Sequence, residues 1–192
     1  MRRTMAAGQL YEYTADPRFW GCAAPPIDRM IGSMSELSIR LALAVDADVL
    51  AVMSRDLIEQ GLGWSWTPAR LRRAIADGQT NVIVQDGSDG DFAGFAAMRY
   101  GDSEAHLLLL AVDPAQRRRG TGSALLAWLE RSAQVAGIAK IQLEARVTNV
   151  AARAFYRFHG YRETRLVPGY YQGREASVRF VKDLRLGQAQ RL

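Results

Sequence analysis

Cysteine is almost missing from this chain. Cys22 stands alone, which excludes an intramolecular disulfide and suits a reducing, cytoplasmic setting. Histidine is nearly as scarce, and His106, His159 and one cysteine are too few for a His/Cys metal centre, so no metal is expected. No apolar run approaches the ~20 residues of a membrane helix. Arg2-Arg3 is not followed by the continuous apolar segment of a secretory signal. No lysine follows Gly122, which excludes a P-loop, and Leu125 stands where a dinucleotide fingerprint needs a third small residue. Internal repeats and low-complexity tracts are absent. So are a zinc finger, a helix-turn-helix and the aromatic signature of an RNA-binding sheet, which leaves nucleic acid a minor alternative.

What is present is an ordinary globular composition, 48% hydrophobic and 23% charged, over 192 residues. The net charge of +5 is unevenly spread: residues 113–192 carry fifteen Lys and Arg against six Asp and Glu (+9), and residues 1–112 carry ten against fourteen (−4). A polyanionic ligand bound by the C-terminal half accounts for that asymmetry.

Taken in order, residues 1–37 are broken by Pro17, Gly21, Pro25, Pro26 and Gly32 and read as an N-terminal extension, either a flexible lead or a mis-assigned start ahead of Met34. A single domain is expected over 38–186, with 187–192 as a tail. Ser38–Ala44 alternates as a strand. Asp46 is placed to cap a helix reaching about Gln60, and Thr67-Pro68 opens a second helix. Strands are expected at 81–85, 91–100 and 104–112 as an antiparallel meander. A helix follows from Thr121 to about Ala136, then a strand from Lys140 to Val147. Asn149 caps a helix ending at His159, and 161–167 and 175–184 form a closing hairpin around a loop at 168–173.

The chain centres on Ala111-Val112-Asp113-Pro114-Ala115-Gln116-Arg117-Arg118-Arg119-Gly120-Thr121-Gly122-Ser123. A strand ends at Asp113-Pro114 and a helix starts near Thr121. The first N–H groups of a helix lack internal partners and carry partial positive charge. With three arginines before it and glycines that admit close approach, such a loop suits a pyrophosphate.

The run Arg117-Arg118-Arg119-Gly120-Thr121-Gly122 resembles the acyl-CoA-binding motif of the GNAT superfamily of N-acetyltransferases. About thirty residues on, Asn149-x-x-Ala152-x-x-Phe155-Tyr156-x-x-x-Gly160-Tyr161 matches that family's second motif at every defined position. Three stretches resemble the ribosomal-protein alanine N-acetyltransferases, or RimI-like branch: Ala111-Val112-Asp113-Pro114, Leu143-Glu144-Ala145-Arg146-Val147-Thr148-Asn149, and Tyr170-Tyr171-Gln172-Gly173-Arg174-Glu175-Ala176. Arg118 and Ala145 depart from that branch.

The resemblance implies an α/β (α+β) fold, with a mixed, mostly antiparallel sheet of six to seven strands splayed at its centre and about four flanking helices. It implies acetyl-CoA as cosubstrate, held by Ala111, Val112, Arg117, Arg118, Arg119, Gly120, Thr121, Gly122, Ser123, Asn149, Ala152 and Tyr156. It implies Glu144 as general base and Tyr156 as general acid. Trp64, Trp66, Tyr170 and Tyr171 are expected on the acceptor side. The acceptor is expected to be a protein or peptide N-terminal amine. A small amine, antibiotic, polyamine or lysine remains an alternative, with a carboxylate-rich pocket the sign of a polycation. A CoA-binding sensor without turnover is the alternative of another class.

Overall fold

The computed structural model describes residues 39–87, 91–171 and 173–185. The expected extension at 1–37 and tail at 187–192 lie outside them. Seven strands, β1 (Ile39–Leu41), β2 (Thr80–Asp86), β3 (Phe92–Tyr100), β4 (Glu104–Val112), β5 (Lys140–Arg146), β6 (Arg162–Tyr171) and β7 (Glu175–Asp183), form one sheet in the order β1-β2-β3-β4-β5-β7-β6. The helices are α1 (Ala47–Leu57), α2 (Pro68–Ala76), α3 (Thr121–Val135) and α4 (Val150–Phe158). Every strand pair is antiparallel except β4 with β5, which α3 connects.

Alternation along the strands gives the sheet two apolar faces. Val82, Val84, Phe95 and Ala97 pack with Leu50, Ala51 and Leu71 of α1 and α2. Ile83, Ala96, Met98, Ile141 and Leu143 pack with Leu125, Leu126 and Leu129 of α3 and with Tyr156 of α4. On β4, Ala105 and Leu107 belong to the second face, yet Leu109 and Ala111, of the same parity, belong to the first. A bulge explains the switch: Ala97 pairs with Leu109 but Met98 pairs with Leu107, so Leu108 is the extra residue. Bulges bend a strand and re-aim its side chains. Here the bulge follows the last rung shared with β5, because the two parallel strands pair only at Glu104↔Lys140, Ala105↔Ile141 and His106↔Gln142.

Several expectations are modified. Asp46 precedes α1 but does not cap it with its side chain. Its carboxylate instead accepts from Leu43 N at 2.7 Å and Arg40 Nη1 at 2.8 Å. The region expected as a loop at 168–173 is largely strand, because β6 runs on through Pro168 to Tyr171. Proline is tolerated there because β6 is an edge strand and its register slips between Val167 and Tyr171.

Gly94 of β3 sits opposite Val112. A Cβ there would stand 2.7 Å from Ala111 O and 3.1 Å from side-chain atoms of Leu125 and Thr121. Gly94→Ala should therefore cost about 1–3 kcal/mol by overpacking, read as a lower urea midpoint with an unchanged slope.

Candidate active site

Where β5 leaves β4, the sheet opens into a cleft of about 410 Å³ that reaches both faces. His106 and Glu144 lie on the face of α1 and α2, because their neighbours Leu107, Leu143 and Ala145 all pack on the other side. Tyr156 enters from that other side. All three line the cleft with Leu108, Leu110 and Ile58. The expected pair Glu144 and Tyr156 is thus brought together at the parting of the strands.

Glu144 is only 3% exposed in its side chain. Its Oε1 accepts from Arg179 Nε at 2.7 Å. Its Oε2 accepts from Tyr170 Oη at 3.1 Å and lies 2.6 Å from His106 Nε2. Burial pushes this carboxyl upward, but the bonds from His106, Arg179 and Tyr170 outweigh it, leaving Glu144 below its ordinary value. Burial, with the Glu144 charge behind it, pushes Tyr170 up to about 12. Tyr171 is also pushed up to about 12, by burial and then by Tyr170.

Tyr156 is packed edge-on to Phe155 and Tyr161 and against Phe180. Burial raises its phenol well above the ordinary range, so it stays protonated at any working pH. Asn149 caps α4, its Oδ1 accepting from Ala152 N at 2.9 Å, and both residues line the cleft.

The arginine loop lies beyond the end of β4. Pro114–Gln116 form one 3-10 turn, and Arg118 (φ 64°) and Gly120 (φ 89°) take left-handed conformations. Such reversals direct successive N–H groups into an anion-binding hollow. Nothing lies within 4 Å of a Cβ built on Gly120. Arg117, Arg118 and Arg119 are exposed, and among the described residues no carboxylate pairs with them. Arg117 Nε reaches back to Val112 O at 3.3 Å. Thr121 Oγ1 is buried without a hydrogen-bond partner among the described residues, and Ser123 Oγ lies 3.0 Å from His159 Nε2. A cationic loop, open ground over its glycine and a spare hydroxyl at the helix start fit the diphosphate of an acyl-CoA. Ala111 is buried in the core, so only its backbone is left to serve a ligand.

Of the acceptor-side residues, Trp66, Tyr170 and Tyr171 line the cleft, whereas Trp64 does not. Trp64 is 41% exposed and donates from Nε1 to Trp66 O at 3.1 Å. The sequence reading missed Glu59. This buried carboxylate accepts from Ser65 N at 2.8 Å, from Trp66 N at 3.1 Å and from Ser65 Oγ, and so pins the loop that presents Trp66. His106 was missed too, although one polar residue inside Ala105–Val112 is a visible anomaly. Arg146 ties β5 to α1, its Nη2 donating to Ile58 O at 2.9 Å. Among the described residues there is no cluster of three or more His, Cys, Asp or Glu, and no helix long and apolar enough to cross a membrane.

The chain is similar to known proteins in sequence and fold. The family model described as the acetyltransferase (GNAT) family matches residues 51–161. An uncharacterized N-acetyltransferase of Methanocaldococcus jannaschii is 38% identical over 95 residues, covering 49% of this chain and 61% of that protein. The [ribosomal protein bS18]-alanine N-acetyltransferase of Escherichia coli K12 is 36% identical over 108 residues, 55% of this chain and 73% of that protein. A crystal structure of the ribosomal-protein-S18-alanine N-acetyltransferase from Escherichia coli superposes with a TM-score of 0.66 at 25% identity, covering 77% of this chain and 93% of the other.

Proposed function

The chain belongs to the GNAT acetyltransferase family and is an acetyl-CoA-dependent N-acetyltransferase, and from that premise we propose that its acceptor is the N-terminal α-amine of a protein or peptide. The observation that carries the acceptor is the charge state of the cleft. Its two carboxylates, Glu59 and Glu144, are both occupied by donors within the protein. Arg70 and Arg146 also line it. A polyamine or aminoglycoside needs unneutralised carboxylates, and this cleft offers none, its two acids being already engaged and two arginines lying beside them. The bS18-alanine acetyltransferase likeness supports the same reading.

In this reading acetyl-CoA supplies the acetyl group as a thioester, and the protein supplies position and proton transfer. Arg117–Gly122 and the start of α3 hold the diphosphate. Asn149 and Ala152 flank the acyl arm beside Tyr156. An α-amine with pKa about 8 is free in roughly a tenth of molecules at neutral pH, a lysine in far fewer. Glu144, at the carboxylate end of the cleft, supplies the negative charge that favours loss of the amine's proton. Tyr156 delivers one to the departing sulfur, whose thiolate binds a proton more tightly when desolvated. A reducing cytoplasmic location belongs to the same reading and rests on the single cysteine.

The test is a panel of Ala- and Ser-starting peptides, the same peptides N-terminally blocked but carrying lysine, and small amines, each scored by CoA release and product mass. Acetylation confined to free N-termini is expected. Turnover of small amines or lysine alone would discard the acceptor.

Glu59→Ala tests the recognition loop. Hydrogen bonds to a charged group contribute about 1.5–3 kcal/mol, so the freed Ser65–Trp66 segment should raise the acceptor KM about tenfold or more. Acetyl-CoA affinity, set on the far side of β4, should be unchanged in a calorimetric titration.

A further inference from the structure

We propose that His106 is the residue that takes the amine's proton, with Glu144 as the positioning carboxylate behind it. This rests on the acetyltransfer reading above and assigns the residue that meets the amine.

Glu144 is badly placed to meet an amine itself. Its side chain is 3% exposed, and both its oxygens are engaged, Oε1 by Arg179 and Oε2 by Tyr170 and His106. A carboxylate held by a guanidinium and two further donors has little basicity left to offer. His106 is the opposite case. Both line the cleft, but the His106 side chain is 32% exposed and only its Nε2 has a hydrogen-bond partner among the described residues. The strand pairing puts it there: His106↔Gln142 is the last rung before β4 and β5 part, so the imidazole sits at the apex of the opening.

The tautomer follows from the partner. A carboxylate at 2.6 Å from Nε2 takes a hydrogen bond from an N–H there, which leaves Nδ1 with its lone pair as the ring's acceptor. An imidazole ordinarily holds a proton about a hundredfold more tightly than a carboxylate. It is therefore the better match for an ammonium donor, and Glu144 compensates the charge the ring gains. The other charged and titratable groups around this pair are Arg99 opposite His106 on β3, Arg146, Arg179, Tyr156, Tyr170, Tyr171 and, across the cleft, Glu59 and Arg70.

The proton balance is complete with these residues. His106 Nδ1 takes one proton from the ammonium, freeing the nitrogen lone pair that bonds to the acetyl carbon. The carbon–sulfur bond breaks with its electron pair on sulfur, and Tyr156 hands its phenolic proton to that sulfur. The nitrogen's second proton leaves through water, which re-protonates Tyr156, and imidazolium returns its proton to solvent. One proton ends on sulfur and one in bulk water.

The experiment uses the full chain with the acceptor that turns over best, comparing His106→Ala and His106→Gln with the parent. The alanine variant should lose about 10²–10³-fold in kcat/KM at unchanged acetyl-CoA affinity. Its pH–rate profile should lack the acidic-limb ionisation of the parent. Added imidazole should restore turnover, with rescue scaling with the basicity of substituted imidazoles. The glutamine variant, which can keep the bond to Glu144 but accepts no proton, should be as slow as alanine. A glutamine variant with near-parental rate and pH profile, or an alanine variant that no imidazole rescues, would overturn the assignment. Turnover of small amines alone would remove the peptide acceptor and leave this comparison to be read on that amine. Silence of the parent on every amine would remove both.

Discussion

Tyr156→Phe should lower kcat by about 10²–10⁴-fold, the range a positioned general acid contributes, while acetyl-CoA binds within about twofold of the parent. The substitution removes one oxygen from a ring that is otherwise held by packing. Phe155, Tyr161 and Phe180 surround it, at centroid distances of 5.3, 5.8 and 5.7 Å. Among the described residues the phenol makes no hydrogen bond, so its loss orphans nothing and the fold should survive. A drop in kcat with unchanged acetyl-CoA affinity and unchanged denaturation midpoint would locate the effect in proton delivery. Full activity in the phenylalanine variant would remove Tyr156 from the chemistry. Because burial keeps the phenol above its ordinary value, the parent should show no loss of rate from its ionisation below about pH 10.

Glu144→Gln should be as damaging, about 10²–10⁴-fold in kcat/KM, and for a different reason. Glutamine keeps the length but removes the anion that compensates the charge gained when the amine's proton is taken. Its amide also donates where the carboxylate accepts, so His106 is pressed toward the wrong tautomer, an effect of known severity in histidine–carboxylate pairs. The same substitution changes the pH dependence of stability. The folded carboxyl lies below its ordinary value, so its contribution is fully present above about pH 4.3, the unfolded value, and disappears as pH falls through the lowered folded value. The parent should therefore lose thermal stability on acidification below about pH 4 faster than the glutamine variant does. Parallel melting curves from pH 6 to pH 3 read this directly, and identical acid slopes would contradict it.

The parts of this molecule that could be read from sequence are those whose signals are local. Asn149 caps its helix with the side chain, as does Thr67, which accepts from Arg70 N at 3.4 Å. The alternation in Lys140–Arg146 puts Ile141, Leu143 and Ala145 in the core and leaves Glu144 on the other face. The fold class followed from the family resemblance that the two motifs carry. What escaped depends on partners far along the chain. The bulge at Leu108 is set by its register with Ala97 and Met98 on β3. Pro168 reads as a strand breaker until β6 is seen to be the sheet's edge. Glu59 acquires its meaning from Ser65 and Trp66, and His106 from a carboxylate 38 positions away. Trp64 and Trp66 cannot be told apart by residue type, yet only one of them faces the cleft.

The three-rung contact between β4 and β5 divides the labour of the protein along the chain. Before the seam, the end of α1, the start of α2 and the loop carrying Trp66 form one wall of the cleft, the wall that the proposed amine would meet. After it come the arginine loop at the start of α3 and the cluster of Glu144, Tyr156, Tyr170 and Arg179. His106, on the last rung, and Arg146, bonded across to Ile58 O, link the two halves at the cleft. Substitutions between Ile58 and Arg70 can accordingly re-select the acceptor while the chemical centre stays as it is. A library confined to that segment would sample new substrates without first having to rebuild an enzyme.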